Sequence, residues 1–152
     1  MRLTHRLVGS VACLAVAVTA CAGSSDPSEG SPHDDIPTCE PGFATPQGFR
    51  QTEVFEDPYV DHVGIRLGFS SDDGRELHFF AGIPGEFGEG LPVAGSVEAA
   101  GGIEGSLQGS GTTWVLTWRA PGPCGTRAVL GSGFTESAFL DTLERAGIVP
   151  AR

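Results

Sequence analysis

The sequence predicts an α+β fold: a curved antiparallel sheet or split barrel of six or seven strands, with one C-terminal helix packed on it. Apolar residues recur at every second position in several short segments, which is the period of half-buried strands. Gly and Pro, 23 and 11 of the 152 residues, separate these segments and favour tight turns. One segment near the C-terminus has the helical period and capping residues at both ends. A helix lying across the sheet would bury the apolar surface of both.

The first 36 residues predict an export signal followed by a linker. Residues 1–20 begin with a basic head that holds two Arg and one His, and an apolar run follows, which is typical of a signal peptide. This run is shorter than the roughly 20 apolar residues that a membrane-spanning helix needs, although a simple stop-transfer anchor is the alternative. Residues 21–36 are rich in Ser, Gly, Pro and acidic residues and predict a flexible tether.

Four residues at the end of the signal, Val18-Thr19-Ala20-Cys21, carry a more specific pattern. They resemble the lipobox of bacterial lipoproteins, with Val18 where Leu is commoner. The resemblance implies a diacylglyceryl thioether on Cys21 and cleavage between Ala20 and Cys21; a third acyl chain, such as palmitate, is an open alternative. Since two or more acyl chains anchor a protein stably, we expect a lipoprotein held at the extracytoplasmic face of the cell membrane.

The lipobox resemblance changes how many of the four cysteines would remain as thiols in the mature protein. Cys13 would leave with the signal and Cys21 would be blocked as a thioether, so that Cys39 and Cys124 would be the only thiols of the mature chain. Two thiols in an oxidising compartment predict one disulfide. A redox pair and half of a metal site are the alternatives, although neither C-x-x-C spacing nor supporting ligands are present.

Charge and composition exclude several classes of function. Cleavage before Cys21 leaves 7 Arg against 19 Asp and Glu, a formal charge of -12, which argues against nucleic acid and against anionic lipid headgroups as partners. The chain has no Lys, which excludes P-loop, Schiff-base and Ser-Lys chemistry. It has no Asn, which excludes N-glycosylation. Arg at every permanently basic position, with abundant Ala and Gly, fits a GC-rich genome such as that of an actinobacterium.

Residues 37–152 are predicted to form a single extracytoplasmic domain with one core. Period-two patterns or short apolar bursts predict strands at 63–69, 77–83, 93–97, 103–107, 113–119 and 126–130. The first two strands are joined by Asp73-Gly74, which favours a hairpin turn over a calcium loop because the remaining oxygen ligands are missing. Residues 84–92 are interrupted by Gly and Pro and predict a loop, in which Phe87 and Leu91 either plug the core or form exposed contacts.

Trp114, Leu116 and Trp118 share one face of a predicted strand and form a large apolar stripe. One interpretation is core packing against the helix, and the other is a wall of an apolar or sugar-stacking groove. Thr135 predicts the start of that helix, and Gly147 predicts its end.

His62 and His78 are the strongest candidates for a metal or acid-base site. Both are predicted on the solvent side of adjacent strands, where a suitable hairpin register would let them face each other. A zinc site would need further ligands that the sequence does not place, so His62 and His78 are weak candidates and no metal is expected.

No motif identifies a catalytic residue or a cofactor, and no serine has the G-x-S-x-G spacing of an α/β hydrolase. The strand-strand-strand-helix ending resembles extracytoplasmic domains of unknown function on bacterial membrane proteins, including some anti-sigma-factor ectodomains; it assigns no functional residue. We expect a non-enzymatic binding or interaction module, whose partner is another envelope protein or a small apolar ligand. The alternatives are a small envelope hydrolase or metal-dependent enzyme using the His62/His78 face, and a carrier that holds an apolar ligand against the Trp stripe.

Overall fold

The structure, a computed structural model, describes residues 36–151. The predicted signal peptide, Cys21 and all but the last residue of the tether lie outside the described residues. Residues 36–151 form one seven-stranded antiparallel sheet and one helix, so the predicted fold class is confirmed.

The sheet consists of two meanders that meet in its middle. The elements are β1 (Phe49–Pro58), β2 (Val63–Ser71), β3 (Glu76–Ala81), β4 (Val93–Ala99), β5 (Ile103–Ser110), β6 (Thr113–Arg119), β7 (Thr126–Ser132) and α1 (Glu136–Arg145). Their order in the sheet is β1-β2-β3-β7-β6-β5-β4. The connection from β3 to β4 therefore runs from the middle of the sheet to its far edge, and β1 and β4 remain as open edges.

The hairpin of β2 and β3 forms where the sequence predicts it. Its register pairs Leu67 with Phe79 and Phe69 with Leu77. Gly74 takes a positive φ of 84° in the turn, and its N–H donates to the carbonyl of Ser71 over 3.2 Å. Asp73-Gly74 therefore forms the predicted reverse turn, in which Gly74 supplies the positive φ that such a turn requires.

The core lies between the sheet and α1. Trp114, Leu116 and Trp118 are 8%, 0% and 8% exposed and belong to the same hydrophobic cluster as Phe139 and Leu143 of the helix. The Trp-bearing stripe is therefore packed inside the domain, and Trp118 at its end also borders two surface recesses.

Local contacts determine where α1 begins and ends. The Thr135 side chain accepts a hydrogen bond from the Ala138 N–H, which caps the helix as predicted. At the other end, Ile148 N–H donates to Leu143 O and Gly147 N–H donates to Glu144 O, at 2.9 and 3.0 Å, which is a Schellman motif. Within residues 36–151 no helix is long and apolar enough to cross a membrane.

Candidate binding groove

The connection from β3 to β4 covers the face of the sheet opposite α1. Phe87 in this loop packs on Phe80, with ring centroids 4.7 Å apart, and Phe80 is the register partner of Ala128 in β7. Gly88 lies so close to Gln108 and Val115 that a Cβ atom at this position would collide with the glutamine. Phe87 thus anchors the loop on a small apolar patch outside the main core, which places residues 85–91 over the sheet.

A groove of about 740 Å³ separates this loop from the strands beneath it. One wall is the loop itself, with Glu86, Glu89 and Leu91. The sheet contributes polar side chains that share the face opposite α1: Glu104, Ser106, Gln108, Thr117, Arg119 and Thr126. This recess, which we call the loop groove, brings together side chains from four separate parts of the sequence.

The loop groove combines carboxylates with the cationic side chain of Arg119. Arg119 is exposed and makes no ion pair within residues 36–151, unlike Arg50, Arg66 and Arg75, which each pair with a carboxylate. Arg127 also borders the groove, but it is the register partner of Trp118 and so shares the α1 face of the sheet. Its Nη1 donates to the backbone carbonyls of Glu40 and Pro41 at 2.9 and 3.3 Å, and burial lowers the pKa of its guanidinium. The Arg119 guanidinium is a planar donor suited to a carboxylate or a phosphate.

The groove lining is rich in hydrogen-bonding and charged side chains. They include carboxylates, hydroxyls, an amide and a guanidinium group. Such groups orient a polar ligand by hydrogen bonding and charge.

His62 does not lie on the solvent side of the sheet, contrary to the sequence prediction. It is 8% exposed, it precedes β2, and its ring stacks on Tyr59 at a centroid distance of 4.9 Å. Nδ1 lies 2.7 Å from Oδ1 of Asp61, and Nε2 lies 2.6 Å from the carbonyl oxygen of Gly82. Because both partners are acceptors, both ring nitrogens donate, which is the state of the imidazolium ion. The backbone hydrogen bond to Gly82, followed by that to Asp61, raises the pKa of His62.

The predicted pairing of His62 with His78 is wrong. The register places His78 opposite Gly68 and Leu130, and its Nδ1 lies 3.9 Å from a Glu53 carboxylate oxygen. Gly82, the partner of His62, lies four residues further along the chain, which is ~13 Å of extended backbone. Residues 36–151 contain no group of three or more His, Cys, Asp or Glu side chains arranged to hold a metal ion.

A disulfide joins Cys39 to Cys124, as the cysteine count predicts. Cys39 is buried, and its N–H donates to the carbonyl of Val63 at the start of β2. A Cβ atom at Gly82 would overlap both the Cys39 sulfur and the His62 ring, so the disulfide and His62 are packed around the same glycine.

The comparisons with known proteins return no relative: no family model, curated protein or solved structure matches the chain at a significant level. The loop groove is therefore interpreted from its own geometry. The sequence predicted the loop and suggested Phe87 and Leu91 as contacts, of which Phe87 packs on Phe80. It also suggested Trp118 as a groove wall, and Trp118 borders this groove, but it did not identify the glutamates and Arg119 that line it. The signal available was the run of polar residues at alternate positions of β5 (Glu104, Ser106, Gln108), continued in β6 by Thr117 and Arg119.

Proposed function

We propose that this protein is a lipid-anchored extracytoplasmic binding domain, held at the cell membrane through Cys21, which binds a polar ligand carrying an anionic group. The loop groove is the ligand site in this proposal. The proposal rests on Arg119. Its exposed guanidinium lies in the loop groove and has no carboxylate partner within residues 36–151.

The composition of the groove supports binding with defined orientation. Arg119 supplies donors for a carboxylate or phosphate, while Glu86, Glu89 and Glu104 accept hydrogen bonds from hydroxyl or ammonium groups of the same ligand. The packing of Phe87 on Phe80 holds the loop over the sheet, so less ordering is required when the ligand binds. An acidic body tethered by lipid would keep this groove away from the anionic membrane surface.

The test uses the full chain expressed in its native envelope, with two readouts. Cys21→Ser should abolish incorporation of a labelled fatty acid and release the protein or leave its signal uncleaved. Wild-type protein extracted in mild detergent should carry a bound small molecule in native mass spectrometry, and Arg119→Gln should lose it. Arg50→Gln, which removes an exposed arginine from the distant strand β1, is the matched control and should keep the molecule.

Continued lipid labelling of Cys21→Ser would contradict the proposed anchor. A wild-type protein that carries no small molecule, or an Arg119→Gln variant that retains it, would contradict the proposed binding site.

A further inference from the structure

The open edge formed by β4 differs from the edge formed by β1. Strand β1 is shielded from further pairing by Pro58 at its end, a bulge between Gln51 and Glu53, and a high density of charged side chains. Strand β4 contains no Pro and a single charged residue, Glu98. Its register with β5 has one irregularity, between Val93 and Gly95 at the start of the strand, and is regular from Gly95 to Ala99. The first four residues of β4 are exposed, with Val93 71% exposed.

The backbone of β4 can accept another strand. Strand β4 pairs with β5 on one side, and no other strand of residues 36–151 pairs with it on the opposite side. Alternate residues of an edge strand direct their N–H and C=O groups away from the sheet, where they are available to an extended chain from outside.

Two recesses flank this edge, one on each face of the sheet. On the helix side, Val97, Leu140, Val149 and Pro150 are the apolar lining of a recess of about 280 Å³. On the opposite side, β4 and β5 line a shallow recess of about 530 Å³ that includes Glu104. Because side chains of a strand alternate between faces, an added strand would place every second side chain toward the apolar recess.

The remaining side chains of an added strand would meet negative charge. Glu98 and Glu104 are direct cross-strand partners, and like charges in this position destabilise a sheet. Neither carboxylate forms an ion pair with an Arg or His within residues 36–151. A Lys or Arg on an adjacent strand would neutralise the pair.

We propose that β4 is a docking edge for an extended segment of a partner protein in which apolar residues alternate with Lys or Arg. The apolar residues enter the recess beside Leu140 and Val149, and the basic residues lie beside Glu98, whose cross-strand neighbour is Glu104. A second copy of this chain fits poorly, because β4 has no cationic residue to place beside these carboxylates. This site goes beyond the proposed function, since it uses a sheet edge and a protein partner.

The test measures binding of short synthetic peptides to the full chain in detergent micelles. A capped peptide that alternates Val and Lys should bind and should protect the amides of residues 93–99 from hydrogen exchange. Three peptides serve as controls: one alternating Val with Glu, one with the same Val and Lys arranged in two blocks, and one with backbone N-methyl groups at alternate residues. All three should bind much more weakly, since they lack the charge, the alternation and the backbone donors respectively.

Binding of the peptide to variants altered at β4, at β1 and in the loop groove tests which surface it occupies. Glu98→Gln should weaken binding of the Val-Lys peptide by about two- to fivefold, the range of one cross-strand charge interaction. Glu53→Gln on β1 is the matched control and should leave it unchanged, as should Arg119→Gln in the loop groove. The proposal would be overturned if the Val-Glu or block peptide bound as tightly as the Val-Lys peptide, or if Glu98→Gln had no effect on binding. It would also be overturned if the peptide protected only the amides of β1, or if the chain associated with itself through β4.

Discussion

At the scale of single residues, His62 is the side chain whose ionisation is most directly tied to the fold. Its two acceptors come from different parts of the structure: Asp61 is its neighbour in the chain, whereas Gly82 follows β3. The Tyr59 ring covers one face of the imidazole, and the Tyr59 hydroxyl donates to the Asp57 carboxylate over 2.5 Å. The charged group in contact with His62 is thus the Asp61 carboxylate, which favours the imidazolium ion.

The raised pKa of His62 predicts how stability depends on pH. A group whose pKa is higher in the folded than in the unfolded chain stabilises the fold fully below its unfolded pKa of 6.5, and this stability is lost as pH rises through the folded pKa. The melting temperature of the wild type should therefore fall across this window relative to that of His62→Gln. Thermal unfolding followed by circular dichroism from about pH 5 to about pH 9 measures this difference.

His78→Gln is the control for that experiment. His78 is half-exposed and makes no contact with Asp61, His62 or Gly82, so the difference in pH profile between wild type and His62→Gln should persist when both also carry His78→Gln. If His62→Gln has the same pH slope as the wild type, the hydrogen bonds of His62 do not stabilise its charged form.

At the scale of elements, the ends of α1 show how strongly local sequence determines structure. The Thr135 cap, the contact of Phe134 with Phe139 at 5.8 Å, and the Gly147 closure all lie within about one turn of the helix ends. Each depends on side chains close in sequence, which is why they could be predicted from the sequence alone.

Loss of the N-terminal cap gives a measurable prediction. Thr135→Ala removes the acceptor for the Ala138 N–H and should lower the free energy of unfolding by ~1 kcal/mol. Thr135→Ser keeps a hydroxyl acceptor and should retain most of the stability. Urea unfolding of the three proteins tests this, and equal midpoints for Thr135→Ala and the wild type would show that the cap contributes nothing.

Strand β1 and the loop groove show where prediction from sequence fails. Strand β1 was not predicted, because as an edge strand it leaves Val54 and Phe55 about half exposed and carries too few buried residues for a period-two signal. The six predicted strands were found because one of their faces is buried or because turn residues bound them. The groove depends on the order of strands in the sheet, which places the β3–β4 loop over β5 and β6 and which no local pattern encodes.

The histidine prediction failed for a related reason. It assumed that the β2–β3 register would bring His62 opposite His78, but the turn pairs Ser70 with Glu76 and leaves His62 beyond the end of the β3 ladder. A shift of a few residues in register separates two side chains completely, and turn geometry determines that register.

At the scale of the whole molecule, the disulfide ties the start of the domain to its second meander. Cys39 precedes β1, while Cys124 lies between β6 and β7, 85 residues later in the chain. The bond therefore closes a loop of the unfolded chain that includes β1 to β6 and leaves β7 and α1 outside it. For a loop of this size, the chain-entropy model gives a stabilisation of ~4.5 kcal/mol before any strain in the folded state.

Replacing both cysteines should make this contribution visible and should also affect His62. Cys39→Ala/Cys124→Ala should lower the free energy of unfolding by about 2–5 kcal/mol, as measured by urea denaturation of the mature domain.

Because Gly82 contacts both the Cys39 sulfur and the His62 ring, losing the bond should loosen the carbonyl that His62 binds. Combining the cysteine replacements with His62→Gln should then cost less than the sum of the separate changes, since neighbouring groups couple. A reducing agent should lower the stability of the wild type but not that of the double-cysteine variant. Strict additivity would show that the disulfide and His62 stabilise the domain independently, even though they pack around one glycine.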